Sequence, residues 1–303
     1  PRERRMSGRT GWVAIDGELV APERATVSVF DRGFLYGDAV FETIRCYGAR
    51  AFEAARHLDR LRKSADEIGL TPPLDGAAQR AELARLYQEV HEPSPAGDHT
   101  IRLMWTRGEG DFSLLPRGVG HARRVMFIRP LVAPPRSAYQ HGVSAICHPT
   151  YRPSDAAAGA KVANYIESII ALRRAEAVGA HEALIVCHDG HVIEGTTSNV
   201  FAVLGGVVCT PPTTESLLPG ITRAHCIDAA TALGMTISER RLTPEDLAAA
   251  GEVFVTSTVR ELLPVVELDG HRIGDGEVGP ACRAIHAEFR RRCGLPGPLP
   301  WEP

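Results

Sequence analysis

Lysine is almost missing from this chain: of 34 basic residues only Lys63 and Lys161 are lysines, and the rest are arginines. No apolar stretch approaches the roughly 20 residues that a membrane-spanning helix needs. The opening PRERRMSGRT lacks the apolar segment of a signal peptide, and Met6 reads as the natural start. A net charge of −3 without any basic run argues against nucleic acid and against an anionic membrane surface. The seven cysteines are an odd, scattered set with no Cys-x-x-Cys, and the twelve histidines show no His-Glu-x-x-His spacing. That usage suits a reducing cytoplasm and predicts neither structural zinc nor any other metal.

What remains is an ordinary soluble composition, 44% hydrophobic and 23% charged, on 303 residues, long enough for two domains. Strand-like runs open the chain: WVAIDGELV with an Asp-Gly hairpin signal, then AVFETIRCYGARAF. Helical spacing predicts helices over 56–69 and 75–91, followed by the strands HTIRLMWTR and RRVMFIRPL around a glycine-rich loop at 108–120. The proline-rich 129–142 reads as a linker between a small N-terminal α+β domain, 1–128, and a larger domain, 143–303. Beyond it come VSAICHP, a helix beginning at Lys161, the short strands EALIVC, HVIEG, NVFAVL and VVCTPP, and helices over 221–233 and 279–292. Strands and helices mix without strict βαβ alternation, so the class predicted is α+β.

Four stretches carry chemistry. Arginine stays protonated at any workable pH, whereas a lysine amine can lose its proton and attack a carbonyl. Lys161 is either a solvated helix-start cation or an amine kept for that chemistry. Small residues precede it, and Val162, Tyr165, Ile169 and Leu172 are expected on a buried face, company that lowers an amine's pKa. Glu194, in VIEGTTSNVF, is an exposed hairpin glutamate or a carboxylate held toward a cationic ring nitrogen. In LLPGITR, the N–H groups of Gly220, Ile221 and Thr222 at a helix start, with the Thr222 hydroxyl, form either a plain cap or an anion site. FVTSTV ends a strand in Thr256, Ser257 and Thr258, a hydrophilic turn or a second donor set for phosphate or carboxylate.

Taken in order, DRGFLYGDAVFETIR, RHLDRL, KVANY, VIEGTTSNVF, LLPGITR and VTSTVRELLPV resemble the class IV aminotransferases. These are the fold-type IV pyridoxal-phosphate enzymes: branched-chain aminotransferases, D-amino-acid aminotransferases and aminodeoxychorismate lyases. The resemblance covers about residues 12–285. It implies two α+β domains with pyridoxal 5'-phosphate between them, and a homodimer in which the neighbouring subunit closes the site. It makes Lys161 the residue that bonds the cofactor and shuttles the proton, with Glu194 the partner of the pyridine nitrogen. Arg60, Ile221, Thr222 and Thr258 match the phosphate donors, with Gly220 and Ser257 beside them as cofactor-binding residues, and Tyr165 matches the tyrosine on the phenolic oxygen. Tyr36, Phe41, Arg102, Thr258 and Val259 fall on substrate positions, while Arg45 and Arg107 are either site residues or structural. The activity implied is transfer of an amino group from an amino acid to a 2-oxo acid.

Substrate choice divides the resemblance. FETIRCY, TIRL and Asn164-Tyr165 look like branched-chain enzymes. The turn Ser257-Thr258-Val259, where those enzymes carry Gly-Thr-Ala, and EGTTSNVF look like D-amino-acid enzymes, yet the Arg-x-His carboxylate trap of the latter is missing. With Ser257 in place of a glycine that lets backbone approach closely, the turn is expected to be a poorer carboxylate site. An arginine, Arg102 or Arg107, would take over, so D-alanine or D-glutamate is favoured narrowly over branched-chain L-amino acids, with the lyase third. A catalytically silent, ligand-binding relative is expected to lack Lys161 or Glu194, and both are present.

Overall fold

The computed structural model describes residues 11–91, 97–150, 159–214 and 217–302. The chain divides into two compact units, Pro1–Val132 with Ala160–Asn164, and Ala133–Gly159 with Tyr165–Pro303. Lys161 thus belongs to the first unit, far in sequence from the rest of it.

In the first unit, β1 (Trp12–Ile15) and β2 (Glu18–Val20) form the hairpin that Asp-Gly predicts, with Asp16 and Gly17 both at positive φ. A short helix, α1 (Arg32–Tyr36), is capped by Asp31, whose carboxylate accepts from the Gly33 N–H at 2.7 Å. Then come β3 (Ala39–Tyr47), β4 (Arg50–Ala51), α2 (Ala54–Glu67), α3 (Gly76–His91), β5 (His99–Thr106) and β6 (Arg123–Pro130). The sheet is antiparallel in the order β2-β1-β6-β5-β3-β4. Strand side chains alternate between faces. Val40, Ile44, Ile101 and Leu103 therefore share one core with Leu58 and Leu61 of α2 and Leu83 and Leu86 of α3. Phe41 and Arg102 project from the opposite face.

The second unit runs α4 (Arg136–His141), β7 (Val143–Pro149), α5 (Ile166–Ala177), β8 (Glu182–Val186), β9 (Val192–Gly195), β10 (Asn199–Leu204), β11 (Val207–Thr210), α6 (Ile221–Ala232), β12 (Ile237–Glu239), α7 (Pro244–Ala248), β13 (Glu252–Ser257), β14 (Glu261–Leu268), β15 (His271–Arg272) and α8 (Pro280–Arg292). Its sheet is mixed, ordered β12-β11-β10-β13-β14-β7-β8-β9 with β15 on β14. Val253, Val255, Leu263 and Val265 bury one face against Tyr139 of α4 and Leu247 of α7. The two units together give the α+β class.

The stretch 129–142 is not free of structure: the units divide after Val132, within it, while β6 continues to Pro130 and α4 buries Ala138 and Tyr139. Proline here starts structure: Pro135 is the N-cap of α4, a position that needs no N–H. Nor does a helix begin at Lys161, since α5 starts only at Ile166. Its buried residues are Ala171 and Ala175, while Ile169 is 48% exposed. The alanines let α5 lie close against Ala183 and Ile185 of β8, which turns the isoleucines outward. Residues 156–158 before Lys161, like 1–10, lie outside the described residues.

Candidate active site

Lys161 sits in an extended stretch that adds itself to β3. The Phe41 N–H donates to the Lys161 carbonyl at 3.0 Å, the Ala163 N–H to Ala39 at 2.9 Å, and Val162 bridges to Val40. The Lys161 N–H donates to Ser64 Oγ on α2 at 3.0 Å. Gly37 (φ 66) makes room for this stretch, because a Cβ there would strike the Asn164 side chain. With its backbone pinned on two sides, the amine is placed: Nζ stands 4.7 Å from the Phe41 ring centroid. The Arg102 guanidinium lies over the same ring at 3.9 Å. Phe41 thus holds two cations on the face of β3 away from the core.

Glu42, the next residue, points into the core and is fully buried. Arg60 Nε and Nη2 donate to its two oxygens at 2.6 and 2.8 Å, and His57 Nδ1 lies 2.8 Å from Oε2. Burial pushes the Glu42 carboxyl up, but the Arg60 charge and hydrogen bonds outweigh it and hold the group at about 2. Burial likewise holds His57 below its usual range against the pull of Glu42, with the charges of Arg60 and Lys161 adding to the effect. His57 is therefore neutral, donates through Nδ1, and leaves Nε2 buried without a hydrogen-bond partner. Arg60, expected at the phosphate, is aimed by Glu42. Glu42 and His57 were not among the residues singled out from the sequence. The available signal was a glutamate at a core-facing place between Val40 and Ile44, since a charge there needs a partner.

The other first-unit candidates are structural or partly so. Arg107 donates to Asp38 at 2.7 Å and to the carbonyls of Gly69 and Ile68, both at 2.7 Å, so it closes the end of α2 and cannot serve as a carboxylate trap. Arg32 shares Asp38 at 3.0 Å. Burial pushes Asp38 up, yet these two arginines hold it below the ordinary carboxylate range. Arg45 pairs with Asp98 at 3.0 Å and stacks on Tyr47. Tyr36 donates its hydroxyl to the Phe112 carbonyl at 2.9 Å, which ties α1 to the 108–120 loop.

In the second unit, Glu194 lies on β9 opposite Ile185, and its Oε2 accepts from the Leu218 N–H at 3.1 Å. Asn199 donates to the Leu218 carbonyl at 2.9 Å, and a Cβ on Gly220 would strike Asn199, so the approach to α6 is fixed from both sides. α6 begins as expected at Ile221, with Gly220 as N-cap and no side-chain cap, and Ile221 and Thr222 are buried. A buried helix start without a side-chain cap is suited to an anion. Thr256 adds a second signal: it lies on β13, which packs against α6, and its Oγ1 is buried without a partner. Tyr165 is the half-buried N-cap of α5. Ser257, at the end of β13, and Thr258 and Val259, in the turn that leads to β14, are half-buried. The Ser257 hydroxyl accepts from the Arg260 N–H and Nε, both at 3.2 Å, instead of standing out from the turn.

Among the described residues, Cys187, Asp189 and His191 in the β8–β9 turn have metal-ligand chemistry. The thiol donates to Asp189 Oδ1 at 2.5 Å. A zinc ion bonded at about 2.3 Å to sulfur and about 2.0 Å to oxygen would hold those atoms roughly 1 Å further apart. The group is closed on itself.

The sequence profile described as "Amino-transferase class IV" matches residues 39–268. A protein of Methanocaldococcus jannaschii, provisionally named a branched-chain-amino-acid aminotransferase, is 37% identical over 280 residues, 92% of this chain and 95% of that protein. A D-alanine aminotransferase of Bacillus licheniformis is 33% identical over 282 residues, 92% and 95% of the two chains. Among solved structures, a branched-chain aminotransferase from "T.th." with pyridoxamine 5'-phosphate superposes with a TM-score of 0.86 at 29% identity, covering 96% of each chain.

Proposed function

Because the chain belongs to the class IV aminotransferases, we propose that it is a pyridoxal 5'-phosphate-dependent transaminase whose preferred amino donor is a branched-chain L-amino acid. The buried, uncapped start of α6 and the orphaned Thr256 hydroxyl fit a phosphate, and the placed amine of Lys161 fits an aldehyde. When bound, the cofactor supplies an electron sink for the substrate's Cα. Lys161 is the residue that would bond it, and its free amine would carry the Cα proton as general acid and base. Glu194 would keep the ring nitrogen protonated, and Tyr165 would meet the phenolic oxygen. Arg60, Gly220, Ile221, Thr222 and Thr258 would hold the phosphate, with Ser257 beside Thr258 in the same turn. Tyr36, Phe41, Arg102, Thr258 and Val259 bound the substrate.

The observation that carries the substrate class is the direction of the Ser257 hydroxyl. The preference for D-amino acids rests on that group crowding the turn and on an arginine replacing it. Ser257 instead turns onto Arg260, and Arg107 is fully engaged elsewhere, which leaves that reading Arg102, over the Phe41 ring, as its carboxylate partner. The D-amino-acid reading keeps the support of the Ser257-Thr258-Val259 pattern and of the D-alanine relative. A homodimer is supported by an apolar patch in which Phe112 is 72% and Leu114 79% exposed, with the Phe30 and Phe112 rings 6.2 Å apart. Sedimentation of a monomer at micromolar concentration would count against it.

The deciding experiment mixes holoenzyme with single amino acids and follows the cofactor's absorbance. L-leucine or L-valine is expected to react faster than D-alanine or D-glutamate, and Lys161→Ala to react with none. Faster D-substrates would overturn the substrate class, and silence with every amino acid the transaminase itself.

A further inference from the structure

Glu182, the first residue of β8, is a carboxylate with no solvent exposure. Its Oε1 accepts from the Ala183 N–H at 3.0 Å and from the Thr196 N–H and hydroxyl at 3.3 and 2.5 Å. Its Oε2 accepts from Ser198 Oγ at 3.1 Å and from Arg260 Nη1 at 2.7 Å. Burial pushes this carboxyl up, but the Arg260 charge and the Thr196 hydroxyl hold it below the ordinary range. The Arg260 guanidinium then reaches two other places: Nη2 donates to Thr197 Oγ1 at 2.6 Å, and Nε, with the backbone N–H, to Ser257 Oγ. The Arg260 carbonyl accepts from the Tyr139 hydroxyl at 2.9 Å. One planar fork therefore ties two turns to a single buried charge. One turn, 196–198, follows Glu194 after a single residue, Gly195, and the other, 257–260, holds Thr258 and Val259. Gly195 permits the first arrangement, since a Cβ there would strike the Ser198 hydroxyl.

We propose that the Glu182–Arg260 pair is a positioning device for substrate binding: it holds the 257–260 turn in the conformation that presents its backbone donors to the substrate carboxylate. This rests on the transaminase reading above. Serine at 257 is part of the device, because a glycine there would give Arg260 no hydroxyl to grip. A guanidinium is required as well, since a lysine could not reach Glu182, Thr197 and Ser257 together.

The test compares wild-type holoenzyme with Arg260→Met and with the paired Glu182→Gln/Arg260→Met variant. Melting temperature and steady-state constants for the best amino donor are measured. Arg260→Met leaves a buried carboxylate without its counter-charge and is expected to melt lower, whereas the paired variant removes both charges and regains most of that loss. Both should raise KM about tenfold or more with kcat within about threefold, and Arg260→Lys should fall between. A wild-type KM in the paired variant overturns the proposal, because the network would then serve the fold alone. If Arg260→Met does not fold, the paired variant decides. A wild type that transaminates nothing sinks the underlying reading and the proposal with it; wild-type turnover with an unmoved KM sinks the proposal alone.

Discussion

Each unit of this chain contains a buried glutamate on a strand, gripped by a histidine and an arginine one turn apart on a helix. In the first unit these are Glu42 of β3 with His57 and Arg60 of α2; in the second, Glu261 of β14 with His286 and Arg290 of α8. The polar groups and distances nearly coincide: 2.8 and 2.6 Å against 2.7 and 2.7 Å. Their surroundings differ. Arg290 also donates to the Pro296 carbonyl, so its cation closes on the chain's own backbone. Glu261 is held in the left-handed region (φ 56), a strain that its two partners keep in place. Beside Glu42, by contrast, Phe41 carries the backbone and the amine of Lys161, and Lys161's charge reaches His57. The same triad is architecture in one unit and, on the functional reading, the mount of a ligand-binding cation in the other.

The largest effect expected is a split between stability and retention. Arg60→Met and Arg290→Met each leave a buried carboxylate without its counter-charge, and each should cost about 3–5 kcal/mol in denaturant unfolding. Only Arg60→Met should also lose pyridoxal phosphate on dialysis, with affinity weakened about tenfold or more, because a charge-assisted contact to phosphate goes with it. Retention is measured well below both melting temperatures. Equal loss in the two variants would erase the difference between the triads.

Acid should reveal the first triad next. The folded Glu42 carboxyl is held at about 2, well below the 4.5 of a free glutamate, so its ionised form stabilises the fold. That contribution is complete above pH about 4.5 and is lost as pH falls toward about 2. Wild type should lose stability through this window, and Glu42→Gln, less stable at pH 7, should lose less of what remains. Parallel stability curves for the two proteins would mean that Glu42 is not the group responsible.

Much of the site was legible because its motifs are contiguous. KVANY, VIEGTTSN and LLPGITR place Lys161, Glu194 and the start of α6 within a few residues each. Partners that come from distant elements were not legible. Glu42 meets His57 and Arg60 across a strand–helix contact, and Glu182 meets Arg260 across β8 and the β13–β14 turn, pairings that only the fold creates. Lys161 was expected at a helix start because the apolar residues after it recur at helical spacing. The pairing of 161–163 with β3 competes with that helix and wins through hydrogen bonds that no local pattern announces. Arg107 carried no mark in the sequence to separate it from a site arginine. Three bonds to Asp38, Gly69 and Ile68 do so in the structure.

The smallest effect, and the finest probe of the comparison, concerns His57. Its ring is fully buried and neutral, whereas an unfolded histidine takes up a proton near pH 6.5. As pH falls through that value the unfolded state binds more protons than the folded one, and linkage makes stability decline. His99, His148 and His181 are also held low by burial, so the decline is shared among them. Asparagine at 57 can offer an N–H to Glu42 in place of Nδ1, does not titrate, and removes the orphaned Nε2. His57→Asn should therefore cost only about 1 kcal/mol at pH 8, chiefly from the smaller side chain. Between pH about 7 and 5 its stability should fall less steeply than that of wild type, with His99, His148 and His181 contributing to the slope that remains. Urea unfolding at a series of pH values reads both numbers. An unchanged slope would mean that His57 is protonated in the folded state, and the first triad would then hold two cations against one carboxylate.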